Sequence, residues 1–204
     1  MVRAAAIWAG FVTLLVVPAW VAATSPLLAW REPVYVAAGF AGVIALMLLL
    51  VQPLLARGDL PGVALARGRR VHRWTGAALV AAVLIHVGGL WLTSPPDVID
   101  ALTFNSPTPF SVWGVIAMWA IFATAVLALL RRKIGLRLWR RGHRALALII
   151  VAGTVLHAIL IEGTMGTFSK AVLCLAVVAV TLPAVITFRG WAAWVRSATT
   201  SGSD

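Results

Sequence analysis

Val71-His72-Arg73-Trp74-Thr75-Gly76, continued through an apolar run to Leu84-Ile85-His86, is matched later in the chain by Gly142-His143-Arg144, continued through a second apolar run to Val155-Leu156-His157. These two stretches hold all four histidines of the 204-residue chain, and in each the two histidines stand 14 residues apart. A helix turns about 100° and rises about 1.5 Å per residue, so 14 steps fall only about 40° short of four turns. Both histidines of a stretch then look out of one helix face, about 21 Å apart along the axis.

The surrounding composition sets the solvent of these helices. Apolar residues make up 62% of the chain and charged residues 11%, and the mean hydropathy is +0.99. That excludes a soluble globular domain. A bilayer core about 30 Å thick takes about 20 apolar residues per crossing, and six stretches meet that length: Ala4–Ala23, Val34–Leu55, Val71–Leu92, Phe110–Leu130, Gly142–Ile161 and Phe168–Phe188. Pro183 is expected to kink the last span rather than end it. Arg3, the apolar run after it and Val21-Ala22-Ala23 also resemble a signal peptide with a small-residue cleavage site, but the run is too long for that class. The expected fold is therefore all-α, a six-helix bundle in the membrane over residues 1–196, followed by a disordered polar tail over 197–204. Spans account for nearly the whole chain, which leaves no room for a separate nucleotide- or flavin-binding domain.

Charge predicts the orientation. With the amino terminus inside, 15 of the 17 basic residues fall on the inner side: Arg3, a group from Arg57 to Arg73, a group from Arg131 to Arg144, Arg189 and Arg196. Arg31 and Lys170 lie outside, with Glu32, Asp97, Asp100 and Glu162. This asymmetry is the positive-inside pattern, and it places both termini in the cytoplasm, with a bacterial inner membrane as the expected location. The net charge of +11 comes as short tracts between spans, not as one folded basic face, so nucleic acid is not an expected partner. The single cysteine, Cys174, lies inside an apolar span, which argues against thiol chemistry. Trp30, Trp74, Trp91, Trp113, Trp139, Trp191 and Trp194 fall near span ends, as an interfacial aromatic belt does.

On this topology the third and fifth spans run parallel and outward, so the histidines pair in two layers. His72 meets His143 near the cytoplasmic side, and His86 meets His157 towards the outside. Two facing imidazoles at each of two depths suit the axial ligation of two haems stacked between the third and fifth helices. A compact zinc or copper site is disfavoured, because the histidines of one helix are too far apart to share an ion and none lies four residues from another. The bland reading, imidazoles that hydrogen-bond between helices, does not explain two equal spacings that use every histidine.

The stretches Arg70 to His86 and Leu138 to His157 resemble the two haem-ligating helices of ferric-reductase-like transmembrane domains, and the resemblance runs from about Val34 to Phe188. It implies a six-helix domain with two b-type haems that passes electrons across the membrane. Ferric reductases and NADPH oxidases of that kind add a cytoplasmic flavin- and nicotinamide-binding portion. This chain is closer in plan to stand-alone members such as the haem subunit of the periplasmic methionine sulfoxide reductase system.

The expected function is thus electron transfer from a cytoplasmic donor (a flavin reductase, flavin or quinol) to an outer-side protein or small oxidant, ferric iron included. The alternative is a non-catalytic haem-binding anchor subunit of a redox complex. A transporter with a histidine proton relay ranks below both, since no broken-helix or inverted-repeat pattern is present. Gly76 and Gly153, one turn from His72 and His157, are expected to face the haem column or to serve helix packing. Arg73 and Arg144, with Arg69, Arg70, Arg140 and Arg141, are placed to pair with haem propionates or lipid headgroups. Ser94 to Leu102 reads as a capped short helix over the outer layer, where it and Glu162 are candidates for docking an acceptor.

Overall fold

Hydrocarbon offers backbone amides no water, so each apolar span must close its hydrogen bonds within itself. In the computed structural model, which describes residues 2–186, every span does so as a helix. The order is α1 (Val2–Ala23), α2 (Pro33–Arg57), α3 (Leu65–Thr93), α4 (Pro95–Leu102), α5 (Ser111–Leu130), α6 (Leu136–Leu160) and α7 (Thr167–Ile186), with a 3-10 turn at Pro26–Leu28. No strand occurs among the described residues. All the helices except the eight-residue α4 are long and apolar enough to cross a bilayer, so the chain is a multi-pass integral membrane protein with six spans. Phe188, Arg189, Trp191, Trp194, Arg196 and the polar tail over 197–204 lie outside the described residues.

The histidine-bearing third and fifth spans are α3 and α6. Both start six residues earlier than the apolar run, at Leu65 rather than Val71 and at Leu136 rather than Gly142. The added turns carry Arg67, Arg69 and Arg70 in one case and Arg137, Arg140 and Arg141 in the other. Arginine is a good helix former whose long stem reaches water, so these turns are helical without being apolar. Pro18, Pro53 and Pro183 lie inside helices, and α7 runs through Pro183 without a break. Gly58, at φ +78°, closes α2 in the left-handed conformation that glycine adopts freely.

The helices pack as two antiparallel hairpins, α2 with α3 and α5 with α6, and α7 closes the bundle against α1, α2 and α6. Leu50 of α2 and Leu173 and Val177 of α7 are fully buried where α7 wedges in, and Cys174 lies beside them, 2% exposed. The backbones of α3 and α6 have little direct contact; their histidine rings reach across the space between the hairpins. Between the two histidine layers, Leu79 and Val83 of α3 and Ile150 of α6 are buried in the same apolar cluster.

α4 forms where the Ser-Pro-Pro-Asp sequence predicts a short helix. Ser94 meets the Asp97 carboxylate at 2.5 Å rather than a backbone amide, while Asp97 sits in the first turn, where the helix dipole favours negative charge. Val98 is buried, and α4 packs on α3 and α5 at the end of the bundle remote from the arginines.

Candidate functional site

Each hairpin carries one histidine near the arginine-rich end of the bundle, His72 or His143, termed the inner pair, and one near the opposite end, His86 or His157, termed the outer pair, and antiparallel packing decides what each imidazole meets. His86 reaches the Ala38 carbonyl of α2 through Nδ1 at 2.8 Å. His157 reaches the Phe110 carbonyl at the start of α5 through Nδ1 at 2.9 Å. His72 reaches the Gln52 carbonyl of α2 through Nδ1 at 3.1 Å. At His72 the Gln52 side-chain amide also lies 2.6 Å from Nδ1. A carbonyl oxygen only accepts, so Nδ1 carries the proton in His86 and His157 and their Nε2 keeps its lone pair. That is the tautomer of an imidazole whose Nε2 ligates a metal, with the other ring nitrogen anchored by a backbone carbonyl.

Glycines make room for the outer pair. A Cβ on Gly42, one turn after Ala38, would stand 3.0 Å from His86 Nδ1, and one on Gly114, one turn after Phe110, would stand 2.6 Å from His157 Nδ1. The same device, a carbonyl and then a glycine four residues on, thus appears once in each hairpin.

The inner pair is less symmetric. The Gln52 side-chain amide lies 2.9 Å from Thr75 Oγ1, itself a turn from His72, so α2 braces His72 by main chain and side chain. His143 instead stacks on Trp139, with ring centroids 5.4 Å apart and planes 11° from parallel. Its buried Nδ1 has no acceptor among the described residues, and neither has Trp139 Nε1.

Across the hairpins, the His72 and His143 rings have centroids 6.2 Å apart with planes at 75°, and those of His86 and His157 are 6.4 Å apart at 79°. Two imidazoles ligating one metal from opposite sides, each nitrogen about 2 Å away, have centroids roughly 6 Å apart. Both separations match that value. Two nitrogens do not complete the shell of a bare ion, which takes four ligands or more, and no group of three His, Cys, Asp or Glu side chains converges among the described residues. A haem brings the remaining donors with it and would need only two imidazoles from the protein, so this donor chemistry fits haem.

The other residues singled out from sequence lie elsewhere. Gly153 faces α5, where a Cβ would stand 2.9 Å from the Trp113 carbonyl oxygen and 3.1 Å from the Ala117 side chain; it serves close helix packing. Gly76 faces Gln52, and a Cβ on it would stand 3.8 Å from the side-chain amide. Arg73 and Arg144 are exposed at the arginine-rich end, as is Glu162 at the other. Sequence reasoning missed Ala38, Gly42, Gln52, Phe110 and Gly114. Carbonyl anchoring leaves no trace in side-chain identity, and only the glycines offered a signal.

A multi-pass helical membrane protein with histidines paired at two depths is the class that fold and geometry define. The chain belongs to the family described as ferric reductase like transmembrane component, whose family model matches residues 38–154. The match runs from α2 into α6, taking in His72, His86 and His143 and ending three residues before His157. Comparison with curated proteins gave no match, and comparison with solved structures gave none.

Proposed function

We propose that the chain is a di-haem cytochrome b that carries electrons from a cytoplasmic donor, a flavin or quinol, to an acceptor on the outer side. The observation that carries this reading is the pair of matched histidine separations, 6.2 and 6.4 Å, at two levels of one membrane bundle. Membership of a ferric-reductase-like family supports electron transfer across the membrane as the purpose. In this reading His72 and His143 hold the inner haem and His86 and His157 the outer one, within a single domain over residues 1–196. Bound there, haem supplies reversible one-electron iron chemistry.

The chain's own residues do the rest. Ala38 and Phe110 hold Nδ1 of His86 and His157 through their carbonyls and so keep Nε2 of those histidines available, and Gln52 braces His72 by main chain and side chain. Leu79, Val83 and Ile150 keep water out of the layer between the pairs. Arg73 and Arg144, exposed beside the inner histidines, offer guanidinium groups to propionates. The arginine-rich end is cytoplasmic by the positive-inside rule, which puts both termini inside and fits a bacterial inner membrane.

The test is a reduced-minus-oxidised spectrum of the detergent-purified protein with a haem assay. The expected result is a b-type spectrum with two haems per chain, and a colourless protein would overturn the reading. In vesicles loaded with reductant, haem oxidation that depends on an outer acceptor marks a transmembrane carrier, whereas none with any acceptor marks an anchor subunit.

A further inference from the structure

His86 and His157 each donate Nδ1 to a backbone carbonyl, and His72 Nδ1 lies against both the main chain and the side chain of Gln52, whereas His143 Nδ1 has no partner among the described residues. Hairpin register shows where its acceptor would stand. In α2–α3 the packing that sets Ala38 beside His86 sets Gln52 beside His72. In α5–α6 the packing that sets Phe110 beside His157 brings the stretch around Thr124 level with His143, as the contact of Gly142 with Leu127 also shows. Thr124 spends its hydroxyl on its own helix, donating to the Ala120 carbonyl at 2.8 Å. Where α2 presents Gln52, α5 therefore presents a short side chain already engaged, and the Trp139 ring covers His143 instead.

We infer that His143 is the residue that sets the two metal centres apart, giving the inner one the higher reduction potential. An Nδ1–H donated to a carbonyl pushes electron density through the ring and makes Nε2 a more basic ligand, which favours the oxidised metal. Both outer histidines are so bonded, and His143 of the inner pair is not. His143 would itself hold the metal, and its unbonded Nδ1 tunes the inner centre. This rests on the di-haem reading above, and its failure is distinguishable: a protein without two haems defeats that reading, whereas a two-haem protein with the wrong order of potentials defeats only this one.

The experiment is a redox titration of the purified holoprotein, with His72→Ala and His86→Ala used to assign the two midpoints. The inner centre, retained in His86→Ala, should have the higher midpoint. Nearby arginines act in the same direction, so Thr124→Gln is the discriminating variant. Its longer side chain brings an amide oxygen, an acceptor, within reach of His143 Nδ1, and so it should lower the inner midpoint while leaving the outer one in place. An inner midpoint at or below the outer one, or one that does not move in a folded, two-haem Thr124→Gln protein, overturns the inference. Should that variant not fold, redox-difference infrared spectra of the wild type decide, because the imidazole C–N stretch reports whether Nδ1–H is bonded. His86→Ala, which keeps the inner centre, should show a free ring, and His72→Ala, which keeps the outer centre, should show bonded rings at that centre; a fully bonded inner pair overturns the inference.

Discussion

Gly114 lies so close beneath His157 that a Cβ on it would stand 2.6 Å from Nδ1, 2.9 Å from Cε1 and 3.3 Å from Cγ of the ring. The imidazole is already held at 2.9 Å from the Phe110 carbonyl and has the Phe110 ring 5.6 Å away, so it has little freedom to retreat. Gly114→Ala should therefore expel His157 from its position. The expected outcome is loss of one of two haems and a destabilisation of about 1–3 kcal/mol from overpacking. Gly42→Ala should do the same to His86 more mildly, its Cβ falling at 3.0 Å. Gly39→Ala, on the same helix with open space around the Cβ, is the control and should leave the spectrum unchanged. Haem content and thermal denaturation in detergent check all three.

On the di-haem reading, the ring separations pair the histidines across the hairpins rather than along a helix. His72→Ala and His143→Ala should each remove the same spectral component, and His86→Ala and His157→Ala the other. If His72→Ala and His86→Ala, on one helix, shared a phenotype instead, the layered pairing would be wrong.

Orientation can be read with single cysteines, because the native Cys174 is buried at 2% exposure and should react poorly. Asn105 and Gly135 are exposed in connections at opposite ends of the bundle. In right-side-out vesicles a membrane-impermeant maleimide should label Asn105→Cys and spare Gly135→Cys until the membrane is opened. The reverse pattern would invert the topology.

Lys170 is 7% exposed and donates to the Ile161 carbonyl at 2.5 Å and the Ile159 carbonyl at 3.4 Å, so its ammonium caps the end of the helix that carries His157. Cations at a helix C-terminus are favourable, and an unbonded buried carbonyl costs about 1–3 kcal/mol. Lys170→Met should lower thermal stability by that order, with Lys170→Arg retaining more of it. An unchanged melting temperature in Lys170→Met would show that the cap contributes nothing.

The six spans and the equal histidine spacings were legible in the chain because they depend only on local quantities: apolar length against bilayer thickness, and residues per helical turn. The starts of α3 and α6 were placed six residues late for the same reason, since apolarity marks where a helix meets lipid and not where it begins. Gly153 was legible only as a small residue near a histidine; whether it served that histidine or a neighbouring helix depended on rotation against α5, which no single-helix pattern contains.

By itself, then, the sequence determined a six-span helical membrane protein with its histidines on one face of each of two helices. Only the tertiary structure decided which atoms hold those histidines. The anchors are the main-chain carbonyls of Ala38 and Phe110 and, for His72, the main chain and side chain of Gln52. Every residue carries a carbonyl, so its use is set by the register and approach of one helix on another. The unpartnered Nδ1 of His143 has the same origin: two hairpins with like histidine patterns differ in what the facing helix presents, and that difference exists only once they are packed.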